Sequence, residues 1–155
     1  MVVPAEQPLR QAGFASLEVQ MVFGESAVTS SFATSPMKLL TPRSRGQSVW
    51  ACTSSFGGGM VAGDRTRLEV TVDAGARCFL STQASTKIYR NPAQLPCSHE
   101  LTATVGDDAL LILAPDPVQC FAESRYDQRQ SFKLSASANL ALVDWMSAGR
   151  TARGE

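Results

Sequence analysis

Net charge, long apolar runs, histidine and helical periodicity are all scarce in this sequence, and each scarcity removes a class of function. Fourteen Lys and Arg are matched by fourteen Asp and Glu, so there is no basic surplus of the kind that nucleic-acid or anionic-membrane binding draws on. Neither a nucleic acid nor a membrane is expected as a partner. No apolar run approaches the roughly 18 residues needed to span a bilayer. The segment from Met1 to Glu6 has neither the basic nor the apolar region of a signal peptide, so a cytoplasmic location is expected. The four cysteines, Cys52, Cys78, Cys97 and Cys120, form no CxxC pair, and His99 is the single histidine. That argues against structural zinc, which takes clustered thiolates or a Cys/His quartet; most of the cysteines read as small buried apolar residues.

The length of 155 residues, 44% hydrophobic and 18% charged, is that of one globular domain over 1–155 with one core. A zero formal charge also removes an aid to solubility, which points to a protein that lives in a complex. Alternation of period two dominates the chain. The segments Ser16 to Phe23, Gln47 to Thr53 and Arg67 to Asp73 place side chains alternately on two faces, as strands do. The best helical candidate is a short turn within Ala122 to Gln128.

A weak internal repeat sharpens the mainly β reading. Its unit is a strand, a turn of small or acidic residues, a second strand and then an irregular polar segment. The copies begin at Leu68, Leu101 and Ser131, and Thr82, Pro115 and Trp145 occupy equivalent ends of the second strands. A period near 30 residues is what a β-helix or solenoid-like stack of strands would give, and evenly spaced hairpins of an antiparallel sandwich would give it too. In a stack, the irregular segments 81–89, 114–126 and 144–155 would share one side of the molecule, and the working surface is expected there.

The motifs leave several chemistries open. Three consecutive glycines, Gly57, Gly58 and Gly59, followed by Gly63 and Asp64, require positive φ or a close approach; they serve either a bend between strands or a ligand. The Gly-Lys-Ser/Thr of a phosphate loop and the helix of a dinucleotide site are both missing. Cys97 and His99 alternate to the same face of an extended segment, which permits a Cys/His pair; without an orienting partner, His99 reads as a surface or capping histidine. Asp64, Asp116, Glu123 and Asp144 lie in or beside the special segments. They could pass a divalent ion along a cavity, act as a glycosidase pair such as Asp64 with Asp116, or cap turns and pair with Lys87, Arg125 or Arg150. Only two tryptophans, Trp50 and Trp145, and two tyrosines, Tyr89 and Tyr126, are present. Few aromatic platforms weigh against a β-solenoid glycan hydrolase, the alternative function.

Five segments, taken in order, resemble the urease accessory protein family UreD, also called UreH. They are Ser35 to Leu40, Phe56 to Asp64, Thr82-Gln-Ala-Ser-Thr-Lys-Ile-Tyr89, Pro115-Asp-Pro-Val through Phe121, and Asp144-Trp through Gly149-Arg150 with Gly154-Glu155. The resemblance implies a β-helical scaffold or chaperone rather than an enzyme, one that assists nickel insertion into the urease apoprotein. It implies UreF as a partner, with UreG recruited through UreF, and nickel passing transiently through an internal tunnel with no tightly bound cofactor. Asp64, Asp116 and Glu123 then become candidates for the nickel path. Gly57, Gly58, Gly59, Gly63, Thr82, Gln83, Thr86, Lys87, Tyr89, Pro115, Pro117, Phe121, Asp144, Gly149 and Arg150 become candidates for tunnel lining or partner contact. Family members are considerably longer, so this chain is expected to be incomplete at its C-terminus, with an unpaired edge and exposed apolar surface near Leu140 to Trp145.

Overall fold

The computed structural model describes residues 12–44 and 46–151, and these build a β-solenoid of about three turns. Fourteen strands form three sheets. The first sheet holds β1 (Gly13–Val22), β2 (Glu25–Ala33), β6 (Arg65–Val72), β9 (Cys97–Val105) and β12 (Tyr126–Leu134), in the order β12-β9-β6-β1-β2. The second holds β3 (Met37–Leu40), β4 (Val49–Ser55), β7 (Arg77–Thr82), β10 (Leu110–Leu113) and β13 (Asn139–Leu142), in the order β13-β10-β7-β4-β3. The third holds β5 (Gly59–Met60), β8 (Thr86–Ile88), β11 (Val118–Cys120) and β14 (Met146–Ala148), in the order β14-β11-β8-β5.

Each full turn contributes one strand to each sheet: β6, β7 and β8, then β9, β10 and β11, then β12, β13 and β14. These correspond to the three repeat copies seen in the sequence, except that the second strand of the third copy is displaced by one residue: Leu110 pairs with Asn139 and Leu113 with Leu142, so Trp145 is not level with Pro115. Parallel pairing explains why the copies are visible. In a parallel stack the same position of every turn meets the same neighbours, so the same residue type is favoured each time. Leu68 pairs with Leu101, Val70 with Ala103 and Val72 with Val105 in the first sheet; Leu80 pairs with Leu113, and Leu113 with Leu142, in the second. A preceding turn, β1, β4 and β5, was not read as a copy, because the antiparallel strands β2 and β3 interrupt it.

The sequence expectation of one core and of a helical turn at 122–128 both need correction. Ala122 and Glu123 form a turn, Glu123 has a φ of 58°, and Tyr126 to Gln128 already belong to β12. The alternation of Tyr126 to Leu134 lets the strand start early by pairing with β9. The apolar interior divides into two clusters. The larger lies between the first two sheets and includes Leu17, Val70, Leu80 and Leu111; the smaller joins Met60, Ile88 and Val118 of the third sheet to Cys97.

Cys78 and Cys97 are buried as expected, whereas Cys52 and Cys120 are half-buried; all four are free thiols. Burial pushes the Cys78 thiol up to about 12 and that of Cys97 up to about 11, so neither is a thiolate nucleophile near neutrality. Outward from β12, β13 and β14 no strand is paired among the described residues. Leu134, Leu142, Val143, Trp145 and Met146 are exposed there, so the expected apolar edge is present. Gly154 and Glu155 of the last family motif lie outside the described residues. No helix among the described residues is long and apolar enough to cross a membrane.

Candidate functional site

Where the two apolar clusters separate, the three sheets border a partly open cavity of about 130 Å³, room for several waters. Its wall is mixed: Leu68, Leu80, Leu101 and Val118 alternate with hydroxyls from Thr53, Thr66, Ser81, Thr82 and Thr86. Asp116 and Asp144 are its acidic residues, and neither Lys nor Arg lines it. With His99 neutral the lining is therefore net negative.

Two polar files run through this wall. In the first sheet, parallel register places Thr66 beside His99 and His99 beside Gln128, one residue per turn at a strand spacing of about 4.8 Å. Thr66 Oγ1 lies 2.8 Å from His99 Nδ1. Gln128 Nε2 donates to Asp144 Oδ2 at 2.7 Å, Gln130 Nε2 donates to the same oxygen at 3.1 Å, and Tyr126 OH donates to Gln128 Oε1 at 2.9 Å. The file thus ends on a carboxylate held by two amides. Across the cavity, the Asp116 backbone N–H donates to Thr82 Oγ1 at 2.8 Å, and that hydroxyl lies 3.1 Å from Asp116 Oδ2. The second arrangement joins β7 to the Pro115–Pro117 segment and fixes where that carboxylate sits.

The sequence-selected residues separate into two groups. Gly58, Thr82, Thr86, Pro115, Asp116 and Asp144 line the cavity. The others do not. Asp64 is buried and its Oδ2 accepts the Val61 N–H at 2.9 Å, capping the turn that contains Gly63. Glu123 pairs with Arg90 through two hydrogen bonds of 3.1 and 3.2 Å at the exposed surface, a partner different from those expected and of small energetic weight in solvent. The backbone N–H of Gln83 donates to Thr53 O, and Pro117 leads into β11. The proposed hydrolase pair Asp64 and Asp116 therefore does not share the cavity, since only Asp116 faces it.

A second constellation lies beside the third sheet. Tyr89 follows β8, Phe121 follows β11 and Gly149 follows β14, so register stacks the three positions. The Tyr89 and Phe121 rings are nearly parallel, 4° apart with centroids 6.1 Å apart. Arg150 lies over Phe121 at 5.6 Å. Glycines make room at both ends: a Cβ at Gly149 would enter the Phe121 ring, and one at Gly59 would fall 2.9 Å from Tyr89 Cε2. Tyr89 OH donates to Gly57 O at 2.9 Å. Lys87, on β8, pairs in register with Gly59 and Gln119. The expectation that the three irregular segments share one side of the molecule agrees with the stacking of β8, β11 and β14.

His99 is not the surface or capping residue that the sequence reading favoured. It stands half-buried in the cavity wall. Thr66, Gln128 and Gln130 were missed altogether, although a signal existed: the 33-residue offset that aligns Leu68 with Leu101 also aligns Thr66 with His99. Burial holds the imidazole below its ordinary pKa of 6.5, and the nearby Glu100 opposes this only in part. The unfolded chain therefore takes up a proton near pH 6.5 that the folded chain refuses. Stability is expected to be full above about pH 6.5 and to fall below it by up to about 1.4 kcal/mol per pH unit. Urea unfolding between pH 7 and 5.5 checks this, and His99→Gln should flatten the slope; an unchanged slope would assign it to other groups.

Fold and cavity together define a parallel β-solenoid whose apolar interior is interrupted by a cavity of mixed lining that holds two aspartates. The family model described as UreD urease accessory protein matches residues 11–155, and the chain belongs to that family. It is 47% identical over 145 residues to "Urease accessory protein UreD" of Sorangium cellulosum, covering 94% of this chain and 46% of that protein. It is 40% identical over 141 residues to "Urease accessory protein D" of Arabidopsis thaliana, covering 88% and 48% respectively. A Schizosaccharomyces pombe protein named "Uncharacterized urease accessory protein ureD-like" is 37% identical over 126 residues, covering 80% and 43%. The chain spans about half the length of the curated relatives it matches.

Proposed function

We propose that this chain acts in urease maturation as a non-enzymatic scaffold in the cytoplasm, passing nickel as cargo toward the urease apoprotein in a complex with UreF and, through UreF, UreG. The observation that carries the reading is the cavity bordered by the three sheets, with Asp116 and Asp144 among hydroxyls and amides and without a competing Lys or Arg. Nickel accepts oxygen ligands and retains water in such surroundings. No three His, Cys, Asp or Glu side chains converge among the described residues. A path needs that weakness, because an ion held by a full ligand set would not move on.

The test is co-expression with the urease subunits, UreF and UreG, followed by pull-down and by urease activity after nickel and GTP are supplied. The wild-type chain is expected to be retained in the complex and to raise activity. Asp116→Ala should keep the complex and lower activation at least tenfold; loss of the complex instead would make Asp116 an interface anchor. A folded wild-type chain that captures none of these partners would overturn the reading.

A further inference from the structure

His99 is the one imidazole in the chain, and the fold sets it, half-buried, in the cavity wall with its two nitrogens in different surroundings. Nδ1 lies 2.8 Å from Thr66 Oγ1, and the same hydroxyl lies 3.4 Å from the Ser98 carbonyl oxygen, to which it can donate. With the Thr66 O–H directed at that carbonyl, its oxygen accepts the Nδ1 proton. This leaves the lone pair on Nε2. Nε2 has no hydrogen-bond partner among the described residues, and no buried side-chain nitrogen or oxygen there lacks a partner. Nε2 is therefore accessible rather than sealed in the wall, and the cavity is the space that His99 lines. An imidazole held from behind by a hydrogen-bond acceptor, with its other nitrogen bare, is the arrangement that proteins use to orient a metal-binding histidine.

We propose that His99 is a cation station in the cavity, its Nε2 ligating a borderline divalent first-row ion while Thr66 fixes the ring. The proposal rests on the reading of the cavity as a metal path and adds to it a nitrogen ligand and a selectivity. Carboxylates, hydroxyls and water alone would serve Mg²⁺ and Ca²⁺ readily, whereas imidazole suits Ni²⁺ and Zn²⁺. The remaining positions on the ion stay with water, so binding is weak and exchange is fast. Gln128 stands next in register, bonded to Asp144, which places a carboxylate at the following turn to draw the ion onward.

A single histidine makes the test direct. The 155-residue chain, labelled with ¹⁵N and carrying no histidine tag, gives one set of imidazole signals in a long-range ¹H–¹⁵N spectrum. Paramagnetic Ni²⁺ is expected to broaden the His99 signals and then the side-chain amides of Gln128 and Gln130, while a tenfold excess of Mg²⁺ leaves all of them unchanged. Thr66→Val, which keeps the shape but removes the acceptor, should raise the nickel concentration needed about tenfold. His99→Gln should do at least as much for the glutamine amides. Broadened amides beside an untouched imidazole would overturn the His99 station and leave the metal path standing. Amides and imidazole that all ignore nickel would overturn both.

Discussion

Gly59→Ala is expected to destabilise the chain by about 3 kcal/mol, lowering the melting temperature by roughly 6 to 12 °C. Gly59 has a φ of 173°, an extended conformation open to any residue, so backbone strain plays no part. The obstacle is space. A Cβ there would press against the Lys87 carbonyl oxygen and lie 2.9 Å from Lys87 Cβ, and neither can move without parting β5 from β8. Gly57 and Gly58 supply the contrast. Their φ angles are 81° and 68°, and an added Cβ would meet open space at both. Alanine at Gly58 should therefore cost only the left-handed penalty, about 1 to 2 kcal/mol. Thermal unfolding of both variants checks the order. A Gly59→Ala melting point within about 2 °C of wild type would mean that the third sheet yields there freely.

Leu111→Ala is expected to cost about 3 kcal/mol, within the range for fully buried leucines. Leu111 is 0% exposed and stands in the second sheet between Cys78 and Leu140. Neighbours on both sides hold it in a parallel ladder, so the vacated volume cannot be filled by a small shift of one strand. Leu142→Ala, one turn along at 44% exposure, should cost under 1 kcal/mol by the area it loses. Urea unfolding distinguishes them. The midpoint should fall for Leu111→Ala with an unchanged slope, as for loss of stability without loss of cooperativity. Equal effects at the two positions would mean that the second sheet does not bury its middle turn more firmly than its last.

The cavity was only half legible beforehand. Asp116 and Asp144 were selected because they lie next to prolines, small residues and a tryptophan, and both face the cavity. Asp64 and Glu123 were selected on the same grounds and face elsewhere, because a short carboxylate in a turn is as readily bound by a backbone N–H or an arginine as by an ion. Composition near a carboxylate tells how special its loop is but leaves the direction of the side chain open. His99 was undervalued for a related reason. Its hydrogen-bonding neighbour, Thr66, is 33 residues away, beyond the reach of any local pattern.

What the sequence by itself determined is the strands, the turns and their recurrence near every 30 residues; that this recurrence is a parallel stack and not a row of hairpins was decided by the strand pairing, in which one environment, and so one residue type, repeats from turn to turn. It also carried the family, through five ordered segments. What only the tertiary structure decided is where the stack is hollow and what faces the hollow. That depends on how three sheets meet, and a strand's alternation says which side chains share a face without saying whether the face is packed, wetted or open.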